Sequence, residues 1–409
     1  MATSNSATQP SAFNDKPYAS KRIATIDILR ALTMVLMIFV NDLWSLTNIP
    51  EWLEHVAPGV DGIGLADVVF PAFLFIVGLS LPYAIRARRN KGASDWELIK
   101  HILVRTIALL VMGVFLVNGE TINEAATGIS RHGWNTLSCL SFILIWNVHR
   151  NVTESKFYNL GRVLGVIILV VLAFIYRGGG DEELVRFTPQ WWGILGLIGW
   201  AYLASSLVLV FSKDNFKFLF GAWIFFAVLS MISDAGNIPA FLTFIPDAIL
   251  DGTLTGFTMG GVLTSWVFQH YRERGDDKTM TTIFLIASVV LVILSVVTRP
   301  YWGLMKLGAT PAWLFLCSAF TLLAFVAVYW IADVWGKAEW FRPVKPAGTD
   351  TLLTYLIPYF AYAFVVFTGL SLPDFFLNGM VGLIKSLAFA FFCVGITFLL
   401  NKSFVRLKL

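Results

Sequence analysis

Runs of roughly 17 to 25 apolar residues recur along almost the whole chain, each long enough as a helix to cross a hydrocarbon layer about 30 Å thick. About twelve are present: Ile26–Leu46, Leu65–Ile85, Ile102–Asn118, Trp134–Val148, Leu160–Tyr176, Trp191–Phe211, Phe218–Ile232, Gly252–Phe268, Thr281–Thr298, Pro311–Ile331, Thr351–Leu370 and Leu377–Leu400. A chain of 409 residues that is 57% hydrophobic and only 14% charged has too little polar surface to coat a soluble globule. Continuous apolarity, rather than short alternating segments, points to helices and away from a β-barrel. The expected fold class is all-α: a polytopic integral membrane protein of about twelve transmembrane helices. Met1–Ser20 is polar, lacks an apolar signal core and reads as a disordered tail. From residue 21 onward only ordinary connectors separate the runs, so one membrane domain is expected.

Positive charge sets the expected orientation, because cytoplasmic loops collect Lys and Arg and alternate loops share a side. Most of the 30 Lys and Arg fall in one alternating set: the segments 1–25, 86–105, 147–162, 212–217, 269–278, 332–350 and 401–409. The opposite loops hold only Arg131, Arg177, Arg186, Arg299 and Lys306. Both termini are thus expected in the cytoplasm, with the loop after the first run on the far side. The net charge of +4 follows from this bias and from basic loops beside anionic lipid headgroups, so no nucleic-acid partner is implied. Cys139, Cys317 and Cys393 all lie within apolar runs without paired spacing, which suggests packing rather than a disulfide framework or a thiolate metal site. No Walker loop, dinucleotide fingerprint or His-Glu-x-x-His pattern occurs.

Function must then reside in isolated polar residues at membrane depth, where they are costly. In "RIATIDILRALTMVLMIFVNDLW", Asp27 and Arg30 stand at i and i+3 on one helical face, with Asn41 about three turns further on. Asp27 and Arg30 read equally as an interfacial ion pair or as binders of an anionic ligand; Asn41 reads as a helix-end cap, interhelical glue or a site residue. The next loop, "PEWLEHVAPGVDGIGLADVV", carries His55, which by itself reads as a solvated loop side chain or as a site residue. Trp52, Leu53 and Val56 draw the loop toward the membrane surface, Pro58-Gly59, Gly62 and Gly64 force turns, and Asp61 and Asp67 are placed to orient an imidazole. Neutral imidazole is the most available general base near pH 7. His101, His149 and His270 sit among basic residues on the cytoplasmic side, which leaves His132 as the rival.

The stretches "RIATIDILRALTMVLMIFVND" and "EHVAPGVDGIGLADVVFPAFLFIVGLSL" resemble the start of the membrane domain of the heparan-α-glucosaminide N-acetyltransferase family, in its bacterial branch. "WWGILGLIGWAYL", "ATPAWLFLCSAF" and "KPAGTDTLLTYLIPYF" extend the resemblance over essentially the whole chain after the tail. One departure is Ala31, where the family continues Asp-x-x-Arg with glycine.

The resemblance implies transfer of an acetyl group from cytoplasmic acetyl-CoA to a sugar amine across the membrane, in a bacterial inner membrane, with His55 as catalytic residue and no metal. A histidine can act as base or carry the acetyl group transiently, and Asn41 can hydrogen-bond the developing oxyanion or the acceptor. The donor is expected to bind at Asp27, Arg30, Arg86 and Arg88, with its phosphates meeting the arginines and Lys100 at the inner helix ends. Its pantetheine arm is shorter than a bilayer is thick, so the His55 loop must dip inward or the helices must enclose a deep vestibule. Trp134, Asn237 and Trp313, with Trp191, Trp192 and Trp302, are the expected acceptor contacts, although tryptophans at this depth also serve as interface anchors. Two alternatives remain at this level: an O-acyltransferase of a cell-surface glycan, and a secondary transporter, which twelve helices with both ends inside would suit. The sequence is silent on whether the protein forms homo-oligomers.

Overall fold

The computed structural model describes residues 24–148, 155–180, 183–403 and 405–407; the predicted tail, His149 and the first predicted cytoplasmic segment up to residue 23 lie outside them. All twelve apolar runs are helical. In chain order they are α1 Ala24–Asp42, α2 Leu65–Arg89, α3 Asp95–Glu120, α4 Arg131–Trp146, α5 Ser155–Ile175, α6 Ile194–Ser212, α7 Phe216–Asp234, α8 Thr253–Arg272, α9 Asp277–Trp302, α10 Pro311–Tyr329, α11 Thr351–Thr368 and α12 Gly379–Ser403. Among the described residues, nine of these are long and apolar enough to cross a membrane by length and composition; α4, α5 and α8 are not.

The shortfall in α8 has a physical reason. Helix α8 is buried along nearly its whole length, against α2, α6, α7 and α10. It therefore never needs a lipid-compatible surface and carries Thr255, Thr258, Thr264 and Ser265 instead. Thr258 and Thr264 return their hydroxyl protons to the carbonyls of Leu254 and Gly260 one turn back, and Ser265 Oγ accepts from the Gln269 amide. The α2–α8 contact is the most extensive in the molecule and is built on glycine. A Cβ on Gly78 would collide with the Thr258 carbonyl, and one on Gly261 with the Phe75 carbonyl. Small residues let helix backbones approach closely where no hydrophobic drive separates helix from lipid.

The outer helices show the converse pattern. Leu285, Ile286, Val289, Val290, Ile293, Val296 and Val297 form an exposed apolar stripe along α9, as do Val163, Val166, Ile167, Val170 and Val171 along α5. Such stripes are a lipid-facing surface, since in water they would form an association patch.

Alternate loops gather at the same end. At one end the backbone amides of Ala24 and Thr25 bind Asp333, Arg89 reaches the Val210 carbonyl, Arg86 meets Glu273, and Arg406 N–H donates to Asn147. At the other, Thr47 pairs with Leu377, Asn123 with Arg177, and Gly62 with Leu304. The first group contains the basic loops, the second the His55 loop.

Candidate active site

Between α1 and α2 the chain makes two short turns, Leu43–Ser45 and Glu51–Leu53, and then returns across itself. A Cβ on Gly64 would run into the Glu54 carbonyl, so only glycine allows the two strands of the loop to cross there. Gly64 caps α2, and Asp67, three residues on, turns its carboxylate back over the helix start. One carboxylate oxygen, Oδ2, accepts the backbone N–H groups of Val56 and Gly64, both at 3.1 Å. The other, Oδ1, lies 2.6 Å from His55 Nδ1. The Asp67 side chain is 3% exposed and that of His55 47%, so a buried anion anchors one edge of an imidazole whose other edge faces open space. Two backbone donors favour ionised Asp67, and an ionised acceptor places the ring proton on Nδ1. Nε2 is then the free basic nitrogen.

Lys306, from the loop between α9 and α10, brings Nζ to 3.8 Å from Asp67 Oδ1 and 3.2 Å from His55 Nδ1. Burial lowers the Lys306 pKa, against the opposing pull of Asp67. Trp313 donates its indole N–H to the Asp67 carbonyl at 3.0 Å. Asp61 takes a different place from the one expected. Its carboxylate accepts the Leu304 N–H at 2.7 Å and Arg299 Nε at 3.0 Å, and it makes no hydrogen bond to the imidazole. Those bonds, the Leu304 amide foremost, hold its pKa below the usual carboxylate value. Asp61 thus clamps the His55 loop to the α9–α10 loop that delivers Lys306, at the rim rather than under the ring.

His55 opens into a cavity of about 580 Å³. Asn41, Met37 and Val40 of α1, Ala66, Val69 and Phe70 of α2, Trp191, Trp192, Asp247, Asp251, Lys306 and Trp313 all line it. Met37 lies about 8 Å along α1 from Asp42 at 1.5 Å per residue, so the cavity is a vestibule sunk into the bundle. Of the expected acceptor contacts, Trp313, Trp191 and Trp192 face this cavity. Trp134 does not: it is 0% exposed, stacks on Phe115 and spends its N–H on the Phe115 carbonyl at 2.8 Å, which makes it a core residue. Asn237 sits in the exposed turn after α7 and is not part of the lining. Sequence reasoning assigned no role to Lys306, Asp247 or Asp251; the one signal for Lys306 was its standing as a rare cation on the His55 side.

The four expected donor-binding residues do not converge. Arg30 binds Asp27 at 3.3 Å, the Gly348 carbonyl at 3.2 Å and Ser80 Oγ at 2.6 Å. Arg86 pairs with Glu273 at 3.6 Å beside a separate small pocket, and Arg88 donates a hydrogen bond to His101 Nε2 at 2.8 Å. Arg30, with its partner Asp27 at i−3, shares the helical face of Met37 and Asn41, at i, i+7 and i+11; Arg86 and Arg88 lie on another helix. The loss of glycine at Ala31 is offset across the contact, where a Cβ on Gly348 would crowd the Ala31 methyl.

The fold and site define a class: a many-helix membrane protein with a carboxylate-oriented histidine at the mouth of a vestibule sunk into the bundle. Residues 22–126 match the family described as heparan-alpha-glucosaminide N-acetyltransferase, catalytic. The chain is 32% identical over 104 residues to the heparan-alpha-glucosaminide N-acetyltransferase of Mus musculus and 30% identical over 101 residues to that of Homo sapiens. Each match covers 24% of this chain and 14% of the relative's length. The resemblance to this family is thereby shown for the segment that supplies Asn41, His55 and Asp67; the stretches from Trp191 onward lie beyond the match.

Proposed function

We propose that the protein is a transmembrane acetyltransferase that moves an acetyl group from cytoplasmic acetyl-CoA to an amino sugar or related glycan on the exocytoplasmic side of a bacterial inner membrane. The observation that carries this reading is the His55–Asp67 pair, set in a vestibule and lying inside the one segment that matches the acetyltransferase family. The division of Lys and Arg supports cytoplasmic termini and an exocytoplasmic His55 loop.

In this reading His55 Nε2 takes a proton from the acceptor as it attacks the thioester, or accepts the acetyl group itself before passing it on. Asp67 fixes the ring and stabilises the imidazolium. Asn41 and Lys306 supply polarity toward the developing oxyanion. Arg30 stands about 10 Å below Met37 on the same face of α1 and meets the donor's phosphates, with Asp27 holding the guanidinium. The α1–α2 seam between them then admits the pantetheine arm. Trp191, Trp192 and Trp313 flank the acceptor.

Purified protein in vesicles, given labelled acetyl-CoA and glucosamine, should form acetylated sugar. Accumulation of unmodified sugar in the vesicles, without acetylation, overturns the enzyme reading and replaces it with transport. A cysteine placed at Asn48 should react with a membrane-impermeant thiol reagent in intact cells, and one at Gly92 should not.

A further inference from the structure

The vestibule holds a carboxylate that the transfer step above leaves unused. Asp251 ends the loop before α8, followed by Gly252 at φ +69°, where a Cβ would collide with the Phe226 carbonyl of α7. The turn is therefore glycine-dependent, and it fixes Asp251 against the bundle. Asp251 lines the same cavity as His55, Asn41 and Lys306. Its Oδ1 is shut away from solvent and yet accepts no hydrogen bond from any described residue. Buried polar atoms are almost always satisfied, and an orphaned carboxylate oxygen is costly, so an orphan on a cavity wall is matched to a donor that arrives from outside.

The surroundings specify that donor. Asp247 lines the same cavity from an exposed position one helical turn earlier, and Asp234 of α7 adds a third carboxylate nearby. The cationic groups on the cavity wall are Lys306, held toward Asp67, and His55 when protonated. One wall is thus acidic and is flanked by Trp191 and Trp192. That combination suits a hydrophilic ring bearing a cation, with its apolar face on indole.

We propose that Asp251 receives the ammonium group of the acceptor and removes the first of the two protons that amide formation must take from it. This inference rests on the acetyltransferase reading and sharpens it toward N-acetylation. An ammonium has no lone pair and cannot attack a thioester. Its first proton passes to the Asp251 carboxylate, leaving a neutral amine. The amine nitrogen bonds to the acetyl carbon and the C–S bond breaks. The second N–H proton goes to His55 Nε2 and on to the departing thiolate, and Asp251 returns its own to water outside. If acetyl passes first to His55, the C–N bond forms as the C–N bond to the imidazole breaks, and the Asp251 step is unchanged. Burial pushes the Asp251 pKa up to about 7, against the backbone amides of Leu254 and Thr253 and with help from Asp234 and Asp247. A base in that range can both accept a proton from a bound ammonium and release it at neutral pH.

The test compares parent and Asp251→Asn protein, each checked for folding by thermal melting and for acetyl-CoA binding, with two acceptors across pH. Glucosamine is cationic at neutral pH, whereas hydroxylamine is already neutral. Asp251→Asn should lower kcat/KM for glucosamine by roughly 10²-fold at neutral pH. The deficit should shrink as pH approaches the amine's own pKa, and hydroxylamine should be affected far less. Equal losses with both acceptors at every pH, or no loss with glucosamine, overturn the proposal. Glucosamine binding, read as a melting shift against glucose, separates the two levels of inference. A parent protein that binds glucosamine through Asp251 but transfers nothing upholds the ammonium site and overturns the transfer reading. A parent that transfers acetyl with Asp251→Asn unimpaired overturns only the role of Asp251.

Discussion

The two ends of the α1–α2 pair treat their charged groups in opposite ways. At the His55 end, residues from four separate stretches of chain meet around one cavity: Asn41, the 55–67 loop, Asp247 with Asp251, and Lys306. At the basic end, Arg30, Arg86 and Arg88 each find a partner close by, and the three point to different places. The three arginines therefore do not mark one common site. Helix ends collect Lys and Arg because headgroups and water lie nearby, and those residues pair off locally. A few polar groups kept at membrane depth are costly, and they persist where a task holds them together.

The largest break in this comparison should come from His55→Ala, which removes the proposed base while disturbing little packing, because the side chain is half exposed. Turnover should fall by a factor of roughly 10² or more with acetyl-CoA binding mostly kept. His132→Ala is the control: it removes an imidazole at the start of α4, away from the cavity lining. Equal acetylation by the two variants would remove His55 from the mechanism.

Asp67→Asn should come next and differ in kind. It loses the anion that orients the ring and also weakens the closure of the loop through Val56 and Gly64. Activity should drop on the order of 10-fold or more, and stability by about 1–3 kcal/mol, because the site is buried. A melting temperature unchanged from the parent would mean that the loop is held by other contacts.

How far these groups could be read in advance depended on the distance over which they meet. His55 and Asp67 are 12 residues apart and close a local loop, so turn-forming glycines were enough to bring Asp61 and Asp67 forward together, but not to choose between them. The apolar runs were equally readable, because lipid demands continuous hydrophobicity in every span that faces it. Helix α8 fell below that standard, being wrapped by other helices. Lys306 and Asp251 reach the site through contacts that span much of the chain, and a single acidic or basic residue in a loop carries no mark of where the loop will fold. Trp134 misled for a related reason: an indole near a helix end looks the same in sequence whether it faces the interface or the core, and here Phe115, Tyr176 and Phe187 enclose it.

The basic end offers a smaller and more selective test. Arg30→Ala should weaken acetyl-CoA binding about tenfold, the worth of one charge-assisted contact, or roughly 1.4 kcal/mol. Arg86→Ala should change it little, since its partner Glu273 is exposed and such surface pairs are worth about 0–1 kcal/mol. Calorimetric titration of the donor into each variant reads both. The reverse order would place the donor on the far face of α2, beside the pocket lined by Trp266 and His270, and would cut the proposed path along α1.

The smallest effect should belong to Asp61, and its sign follows from its bonds. The Leu304 amide and Arg299 hold the folded-state pKa below the ordinary value of 3.8, so the stabilising contribution is complete at neutral pH and is lost as pH falls through the acidic range toward that depressed pKa. Both side chains of the Asp61–Arg299 pair are about half exposed, so water and salt screen most of the ionic part. Asp61→Asn should therefore lower the melting temperature only slightly at neutral pH, and the difference from the parent should vanish in strong acid. Its more telling consequence is positional. Asp61 ties the His55 loop to the loop that carries Lys306, so loosening it should raise KM for the acceptor more than it lowers kcat, because the chemistry at Nε2 is intact and only the alignment of the cavity walls has slackened. A fall in kcat as deep as that of Asp67→Asn would instead mean that Asp61 supports the imidazole itself, and the division between the clamp at the rim and the anion beneath the ring would have to be withdrawn.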